Sequence, residues 1–333
     1  MVSIKDISKV SGFSVTTVSR ALNDFDDVSP KTKRYIKKVA NDLHYSPNKL
    51  ARSLVNQKSK TFGFITNDFS SSSPLDNFSF NVFMDALDYA NENDYDVIWI
   101  QHRGGEETNK TFNQVIAERN LAGAIIQGFD ADDPFCEEAS QSDTPTVFID
   151  MALRGPKTTY IALDVNGAVK QGMSLLSEQG YQRLGFLYGS ERSWITREWL
   201  KAVKKYMHYN PNQFKSVSYL SGDYNLDKSR QVVDQFLKNQ SQNSKTAIFA
   251  STDVMAIGAL KAINRLKLSI PSKIGVLGVD NIALGRFVTP ELTTLGQDLN
   301  LISKQAIESL MNLSQKNVAP ILNAPRLIRR ETI

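Results

Sequence analysis

Residues 12–24, GFSVTTVSRALND, decide the fold of the amino-terminal part of the chain. Val18 and Leu22 are four residues apart, which is the spacing of an apolar helix face that packs inward. Residues 3–11 form a shorter apolar repeat, and Gly12 is a residue type that often ends a helix. Two short helices joined by a glycine-containing turn predict a helix-turn-helix.

A third helix is predicted over about residues 30–43, because apolar residues form one stripe and Pro30 suits a first helical turn. Residues 1–60 contain 12 Lys and Arg against 5 Asp, a net charge of +7 in a chain whose total is +4. Positive charge concentrated at one end of a protein indicates a polyanionic partner. The alternative is a basic terminus that only keeps the protein in solution.

The outward face of the second helix carries Val15, Thr16 and Arg20, our candidates for reading DNA bases. Arginine donates two hydrogen bonds to guanine, and the methyl groups of valine and threonine fit the thymine methyl. We therefore predict that this face enters the major groove. Residues predicted to bind phosphate or to support the helix are Ser14, Thr17, Ser19 and Asn23. The alternative is a small helical bundle whose polar side faces water.

The segments IKDISKVSGFSVTTVSRALN and VSPKTKRYIKKVANDLHYSPNKLARSL resemble the DNA-binding headpiece and hinge of the lactose/galactose repressor (LacI/GalR) family. This resemblance places the three outward residues at the family's base-reading positions. It also implies that SPNKLARSL is a hinge helix that orders when two subunits bind operator DNA. Leu54, with Ala51 beside it, would enter the minor groove, and Asn48 and Arg52 would contact the groove or the backbone. The alternative is an ordinary linker.

From residue 61 onward, short apolar runs such as TFGFI, TPTVFID and KIGVLGVD alternate with amphipathic stretches such as FNVFMDALDYANEN. This alternation predicts parallel sheets with helices on both faces. The strand candidates are too numerous for one small sheet, so we expect two lobes. Ligands of such folds bind at the carboxyl ends of strands, which indicates a cleft between the lobes.

The predicted fold class is a small all-α helix-turn-helix headpiece joined to an α/β body of two lobes with parallel sheets. The resemblance extends to this body, which is similar to periplasmic sugar-binding proteins. The predicted parts are a headpiece at residues 1–46, a hinge helix and linker at 47–60, and an effector-binding and dimerisation body at 61–333. Within the body, lobe 1 is predicted at about 61–161 and 291–321, and lobe 2 at about 162–290 and 322–333.

Polar side chains that follow the predicted strands are candidates for binding an effector. Asp150, Asp253 and Asp280 stand at or just after strand ends, and Trp194 and Arg197 follow the strand RLGFLYG. Carboxylates and an arginine can hydrogen-bond a polyhydroxylated ring on which an aromatic side chain stacks. The alternatives are that the aspartates cap helices and that Trp194 belongs to the core.

The resemblance places Arg197, Asp150 and Asp280 at effector-binding positions of the family. The sequence ASTD puts Thr252 where the family often has an asparagine. The serine-rich stretch at residues 69–78 is expected to be a loop at the mouth of the cleft. These departures leave the general site intact and leave the identity of the effector open.

The chain lacks the phosphate-loop, nucleophile-elbow and HExxH motifs, so we expect no catalytic residue, no metal and no cofactor. Cys136 is the only cysteine, which favours a reducing compartment. The first 30 residues lack a secretory signal and the chain has no long apolar run, so the expected location is the cytoplasm, without membrane contact.

These observations predict a sequence-specific transcriptional regulator, most simply a repressor of carbohydrate-utilisation genes. It would bind a near-palindromic operator as a homodimer and respond to a small effector, a sugar, in the cleft. The alternatives are a purine or a sugar phosphate as effector of the same fold, a carbohydrate-binding protein, or a glycoside-acting enzyme.

Overall fold

The computed structural model describes residues 2–45, 59–67, 78–102, 110–130, 132–239 and 244–333. The chain divides into two compact units, Met1–Lys60 and Thr61–Ile333. The predicted hinge residues Asn48, Ala51, Arg52 and Leu54, and nearly all of the loop predicted at 69–78, lie outside the described residues.

The first unit contains three helices, α1 Ile4–Ser11, α2 Val15–Leu22 and α3 Pro30–Asp42. Ser3 caps α1 in a capping box with Asp6, and Gly12 ends it with a positive φ of 74°. Ser14 caps α2 by accepting a hydrogen bond from the Thr17 backbone N–H at 3.1 Å. The buried side chains that join the three helices are Ile7, Val18, Ala21, Val28, Ile36, Val39 and Ala40.

The second unit alternates strands and helices. Its strands are β1 Thr61–Asn67, β2 Asp96–His102, β3 Gly123–Gln127, β4 Thr146–Ile149, β5 Thr158–Leu163, β6 Arg183–Tyr188, β7 Ser216–Ser221, β8 Thr246–Ala250, β9 Ile274–Asp280, β10 Thr293–Gly296, β11 Ile321–Asn323 and β12 Arg326–Ile328. Its helices are α4 Phe78–Glu92, α5 Phe112–Arg119, α6 Pro134–Gln141, α7 Val165–Glu178, α8 Trp194–Tyr209, α9 Leu226–Lys238, α10 Asp253–Arg265 and α11 Leu299–Leu313.

The strands of the second unit form two six-stranded sheets, one in each lobe. Lobe 1 has the order β11-β5-β4-β3-β1-β2, and lobe 2 has the order β12-β10-β9-β8-β6-β7. The paired strands are parallel except that β12 is antiparallel to β10. The central strands β3, β8 and β9 are buried along their whole length, which explains their unbroken apolar sequences.

The chain crosses between the lobes after β5, after β10 and between β11 and β12. The second crossing comes later than the predicted lobe boundary at residue 290, because β10 is fully buried and pairs with β9 inside the lobe 2 sheet. The other two crossings follow Leu163 and Asn323, each about two residues beyond the predicted boundary. The carboxyl ends of strands from both sheets therefore face one cleft.

Candidate functional site

The outward face of α2 is accessible at the residues predicted to read bases. Val15 and Thr16 are exposed in the first turn of the helix, and Val15 keeps 45% of its surface. Arg20 lies in the last turn, and its side chain is 41% exposed. The structure thus brings Val15, Thr16 and Arg20 onto one helix, with their side chains at least partly accessible.

The predicted supporting residues of α2 make local contacts. Ser14 and Thr17 share a hydroxyl contact of 2.8 Å at the start of the helix. Asn23 follows the last turn and donates its side-chain amide to the Ser19 carbonyl at 2.8 Å. These hydrogen bonds hold both ends of the helix, which is a structural role that leaves the outward face free.

Arg20 also contacts two residues that our sequence reasoning did not identify. Its Nε lies 2.6 Å from a carboxylate oxygen of Asp27, and its guanidinium lies 4.4 Å from the centre of the Phe25 ring. Both partners belong to the loop between α2 and α3, a region where the sequence shows only a run of acidic residues.

A cavity of about 430 Å³ lies in the cleft between the two lobes. Its walls come from the carboxyl ends of strands in both sheets, through Asn67, Gln127, Asp150, Thr252, Asp280 and Gln297. Phe129 and Trp199 add aromatic surface. Within the described part of the chain, the lining contains four aspartates and no lysine, arginine or histidine.

Asp150 lines the cavity from lobe 1. Its backbone has a positive φ of 55°, and its side chain accepts a hydrogen bond from the Leu163 N–H at 3.3 Å. Burial raises the pKa of this carboxyl to about 6, because the single backbone hydrogen bond only partly offsets the lost hydration. Near neutral pH the group is therefore an acceptor that a ligand hydroxyl can satisfy.

Asp280 lines the cavity from lobe 2, at the end of β9. Its φ is 109° and that of Asn281 is 62°, so two consecutive residues leave the ordinary backbone regions. Gln297 donates to the Asp280 carboxylate at 2.8 Å, and Arg330 donates to the Asn281 side-chain oxygen at 2.6 Å. These contacts hold a strained turn, which is a common feature of ligand sites.

Asp253 does not reach the cavity. It is fully buried, and it accepts hydrogen bonds from the Thr294 hydroxyl at 2.6 Å and from the Ile282 N–H at 2.9 Å. Burial raises the pKa of this carboxyl to about 7, against the lowering effect of those bonds. Asp253 thus supports the turn that carries Asp280, while its neighbour Thr252 lines the cavity and caps α10.

Arg197 and Trp194 are likewise absent from the described residues that line the cavity. Arg197 is exposed on α8. Trp194 begins α8 and meets Tyr160 of lobe 1 edge to face, with ring centres 6.0 Å apart. Trp199, on the same helix, does line the cavity and is only 2% exposed.

Tyr224 lines the cavity and was not identified from the sequence. Its hydroxyl shares hydrogen bonds with Thr196 at 2.7 Å and with Ser193 at 3.3 Å. Burial raises its pKa, and the charges of Asp150 and Asp280 add to this effect, which places all three groups in one electrostatic environment. The signal in the sequence is weak, because Tyr224 follows the polar edge strand β7.

Two family models match this chain. Residues 3–48 match the bacterial regulatory proteins of the lacI family, and residues 173–333 match a periplasmic binding protein-like domain. The HTH-type transcriptional repressor PurR of Photobacterium profundum is 27% identical over 312 residues, covering 93% of this chain and 91% of PurR. The "Probable HTH-type transcriptional repressor ExuR" of Bacillus subtilis is 27% identical over 316 residues, covering 94% and 92%.

Solved structures with a similar fold align with nearly the full length of the chain. The lac repressor dimer bound to operator and the anti-inducer ONPF is 24% identical, with a TM-score of 0.83 over 99% of this chain and 98% of that chain. The complex of the transcriptional regulator CelR with cellobiose is 20% identical, with a TM-score of 0.72 over 100% of both chains.

A helix-turn-helix unit joined to a two-lobed body with an interlobe cavity defines a ligand-responsive transcriptional regulator. The chain contains a helix-turn-helix domain of the lacI family at residues 3–48 and a periplasmic binding protein-like domain at residues 173–333. None of the described helices has both the length and the apolar character that a membrane crossing needs. The described residues also hold no cluster of three or more His, Cys, Asp or Glu that could bind a metal ion.

Proposed function

We propose that this protein is a cytoplasmic repressor that binds a near-palindromic operator as a homodimer and is controlled by a neutral carbohydrate in the interlobe cavity. One headpiece presents one α2 helix and reads one half-site. Two copies related by a twofold axis read two half-sites, which is why a symmetric operator is expected. Carbohydrate-utilisation genes are the corresponding targets.

The proposed DNA contacts follow from the exposed face of α2. Val15 is an apolar side chain that leaves 45% of its surface exposed, although the headpiece has a core to bury it in. A methyl-rich side chain at the start of a recognition helix fits a thymine methyl, and Arg20, five residues later, fits a guanine edge. Asn48, Ala51, Arg52 and Leu54 remain the proposed hinge contacts.

The choice of a neutral effector rests on the charges that line the cavity. Asp130 and Asp223 have cationic partners, Arg192 at 2.6 Å and Lys228 at 3.2 Å. Asp150 has the Leu163 N–H as its described hydrogen-bond donor. An anionic group placed 4 Å from such a carboxylate is repelled by about 4 kcal/mol at an effective dielectric constant of 20.

A carbohydrate fits these walls because its hydroxyls donate hydrogen bonds to carboxylates and its ring packs on aromatic surface. The cavity of about 430 Å³ falls in the size range of small-molecule sites. A sugar phosphate meets the repulsion described above. A purine is neutral, but it offers fewer donors than the acceptors that Asp150, Asp280 and Gln127 present.

We propose that the cavity releases its ligand unchanged. Its described lining contains no lysine, histidine or cysteine, so hydrolysis of a glycoside would have to use a pair of its four aspartates. Incubating each bound sugar with the protein and analysing it by chromatography tests this point. Recovery of intact sugar is expected, and hydrolysis would show glycosidase activity instead.

The experiment that tests the proposed function has two stages. First, the full chain selects duplexes from a randomised pool, and its melting temperature is measured with neutral sugars, sugar phosphates and purines. Second, affinity for the selected duplex is measured with each compound that raises the melting temperature. We expect a neutral sugar to stabilise the body and to change DNA affinity. A shift with sugar phosphates or purines alone would overturn the effector class.

A further inference from the structure

The loop between α2 and α3 is held rigidly next to Arg20. Val28 is buried in the headpiece core and anchors one end of the loop. Asp24, at the other end, has a positive φ of 58° and receives the ammonium group of Lys37 at 2.7 Å. The Phe25 N–H donates to the Arg20 carbonyl at 3.1 Å, which ties the loop directly to the last turn of the helix.

This rigid loop places two side chains around the Arg20 guanidinium. Asp27 Oδ2 lies 2.6 Å from Nε, and the Phe25 ring lies 4.4 Å from the guanidinium carbon. Nε is fully covered and makes no hydrogen bond, so its contact with Asp27 is one of charge. Because the side chain as a whole is 41% exposed, the donors left for a ligand are the terminal nitrogens.

We propose that Asp27 and Phe25 are positioning residues that set the base specificity of Arg20. They hold the guanidinium in one plane and direct its terminal nitrogens outward, which is the geometry for a bidentate contact with guanine. The negative charge of Asp27 also weakens a competing ion pair between the Arg20 guanidinium and a DNA phosphate. This inference rests on the DNA-binding function proposed above and adds residues that do not themselves read a base.

Two properties of arginine explain why the position of the Arg20 guanidinium affects base discrimination. An arginine side chain loses rotamer entropy when it binds, and a guanidinium already held in place loses less. Arginine also binds phosphate through the same donors, without regard to sequence. The Asp27 carboxylate and the Phe25 ring therefore improve discrimination between duplexes more than they improve total DNA affinity.

The test compares Asp27→Asn with Asp26→Asn in the full chain. Both substitutions remove one negative charge from the same exposed loop, and only Asp27 contacts Arg20. The probe is the duplex that the parent selects from a randomised pool, together with duplexes that carry each single base change. We expect Asp27→Asn to lower discrimination at one base pair of each half-site by about fivefold, the scale of one exposed ion pair. Asp26→Asn should keep the parent's preference at that base pair.

Two further variants separate positioning from a general effect on folding. Phe25→Leu keeps an apolar side chain and should lower discrimination at the same base pair. In an Arg20→Ala background, Asp27→Asn should have no further effect on discrimination, since its role acts through the arginine. Unchanged base preference in Asp27→Asn, or an equal change in the Arg20→Ala background, would overturn the inference. A parent that selects no sequence would instead overturn the proposed function.

Discussion

Replacing Asp253 with asparagine is expected to change how the stability of the body depends on pH. Asp253 is fully buried below the turn that carries Asp280, and burial raises its pKa from 3.8 to about 7. Hydrogen bonds from the Thr294 hydroxyl and the Ile282 N–H oppose this rise without cancelling it. The folded protein therefore holds a proton that the unfolded chain releases at a much lower pH.

The sign and size of the effect follow from these two pKa values. Below about pH 4 both states are protonated, and above about pH 7 both are ionised, so stability changes only between these limits. Within that window the folded state binds more protons, and it loses stability as pH rises. About three pH units at about 1.4 kcal/mol each give a loss on the order of 4 kcal/mol from this one group.

The assay is denaturant unfolding of the full chain, followed by the fluorescence of its three tryptophans, which all lie in the body. Asparagine does not titrate, so the difference in unfolding free energy between parent and variant should fall by about 4 kcal/mol from pH 4 to pH 8. Asparagine keeps one acceptor oxygen in place of two, so either the Thr294 hydroxyl or the Ile282 N–H loses its acceptor, an offset of about 1–3 kcal/mol that is independent of pH. Asp143→Asn, at an exposed position, controls for net charge. A difference that stays constant with pH would refute the reasoning.

Three other predictions concern the cavity and the headpiece. Arg197→Ala should leave sugar affinity unchanged in calorimetry, because the side chain lies away from the cavity, whereas Trp199→Ala should destabilise the body by about 3–5 kcal/mol in denaturant unfolding. Asp150→Asn should abolish a rise in sugar affinity through about pH 6, since the ionised carboxylate is the better acceptor; a rise that persists in the variant would contradict this. Ile36→Ala should cost the headpiece about 2–5 kcal/mol and weaken DNA binding while the melting temperature of the body stays the same, as followed by tryptophan fluorescence.

Most of the strands that sequence patterns predict have both faces covered, although the partly exposed edge strand β2 is also predicted from its apolar run YDVIWI. β3, β8 and β9 are continuous apolar runs because helices pack on both sides of each sheet. β7 was not predicted, since it lies at a sheet edge, is partly exposed and contains alternating serines. β10 and β11 were missed because four and three residues give too little pattern.

The cavity residues that the sequence predicts correctly are those that stand at or just after the end of a strand. Asp150, Thr252 and Asp280 reach the cavity because the carboxyl ends of parallel strands meet at one edge. On α8, the position of a residue around the helix decides whether its side chain lines the cavity. Ile195 and Trp199 are four residues apart and share the face that lines the cavity, which turns Arg197 away.

Asp253 illustrates a feature that no single-sequence pattern shows. Its side chain enters the space above Gly278, where a Cβ would collide with the carboxylate. The position is thus defined by a glycine on a strand 25 residues later in the chain, through a tertiary contact. The same holds for Asp27, whose partner Arg20 is identified only when the loop is folded back on α2.

The most direct single measurement is equilibrium binding of the full chain to its selected duplex, as salt rises from about 50 to about 200 mM, with and without the stabilising neutral sugar. We expect the logarithm of the association constant to fall linearly with the logarithm of salt concentration, and the sugar to displace that line. Two results would contradict a regulator in which a cavity ligand controls DNA affinity. One is a chain that binds no duplex at the lowest salt concentration, and the other is an association constant that no tested compound changes at any salt concentration.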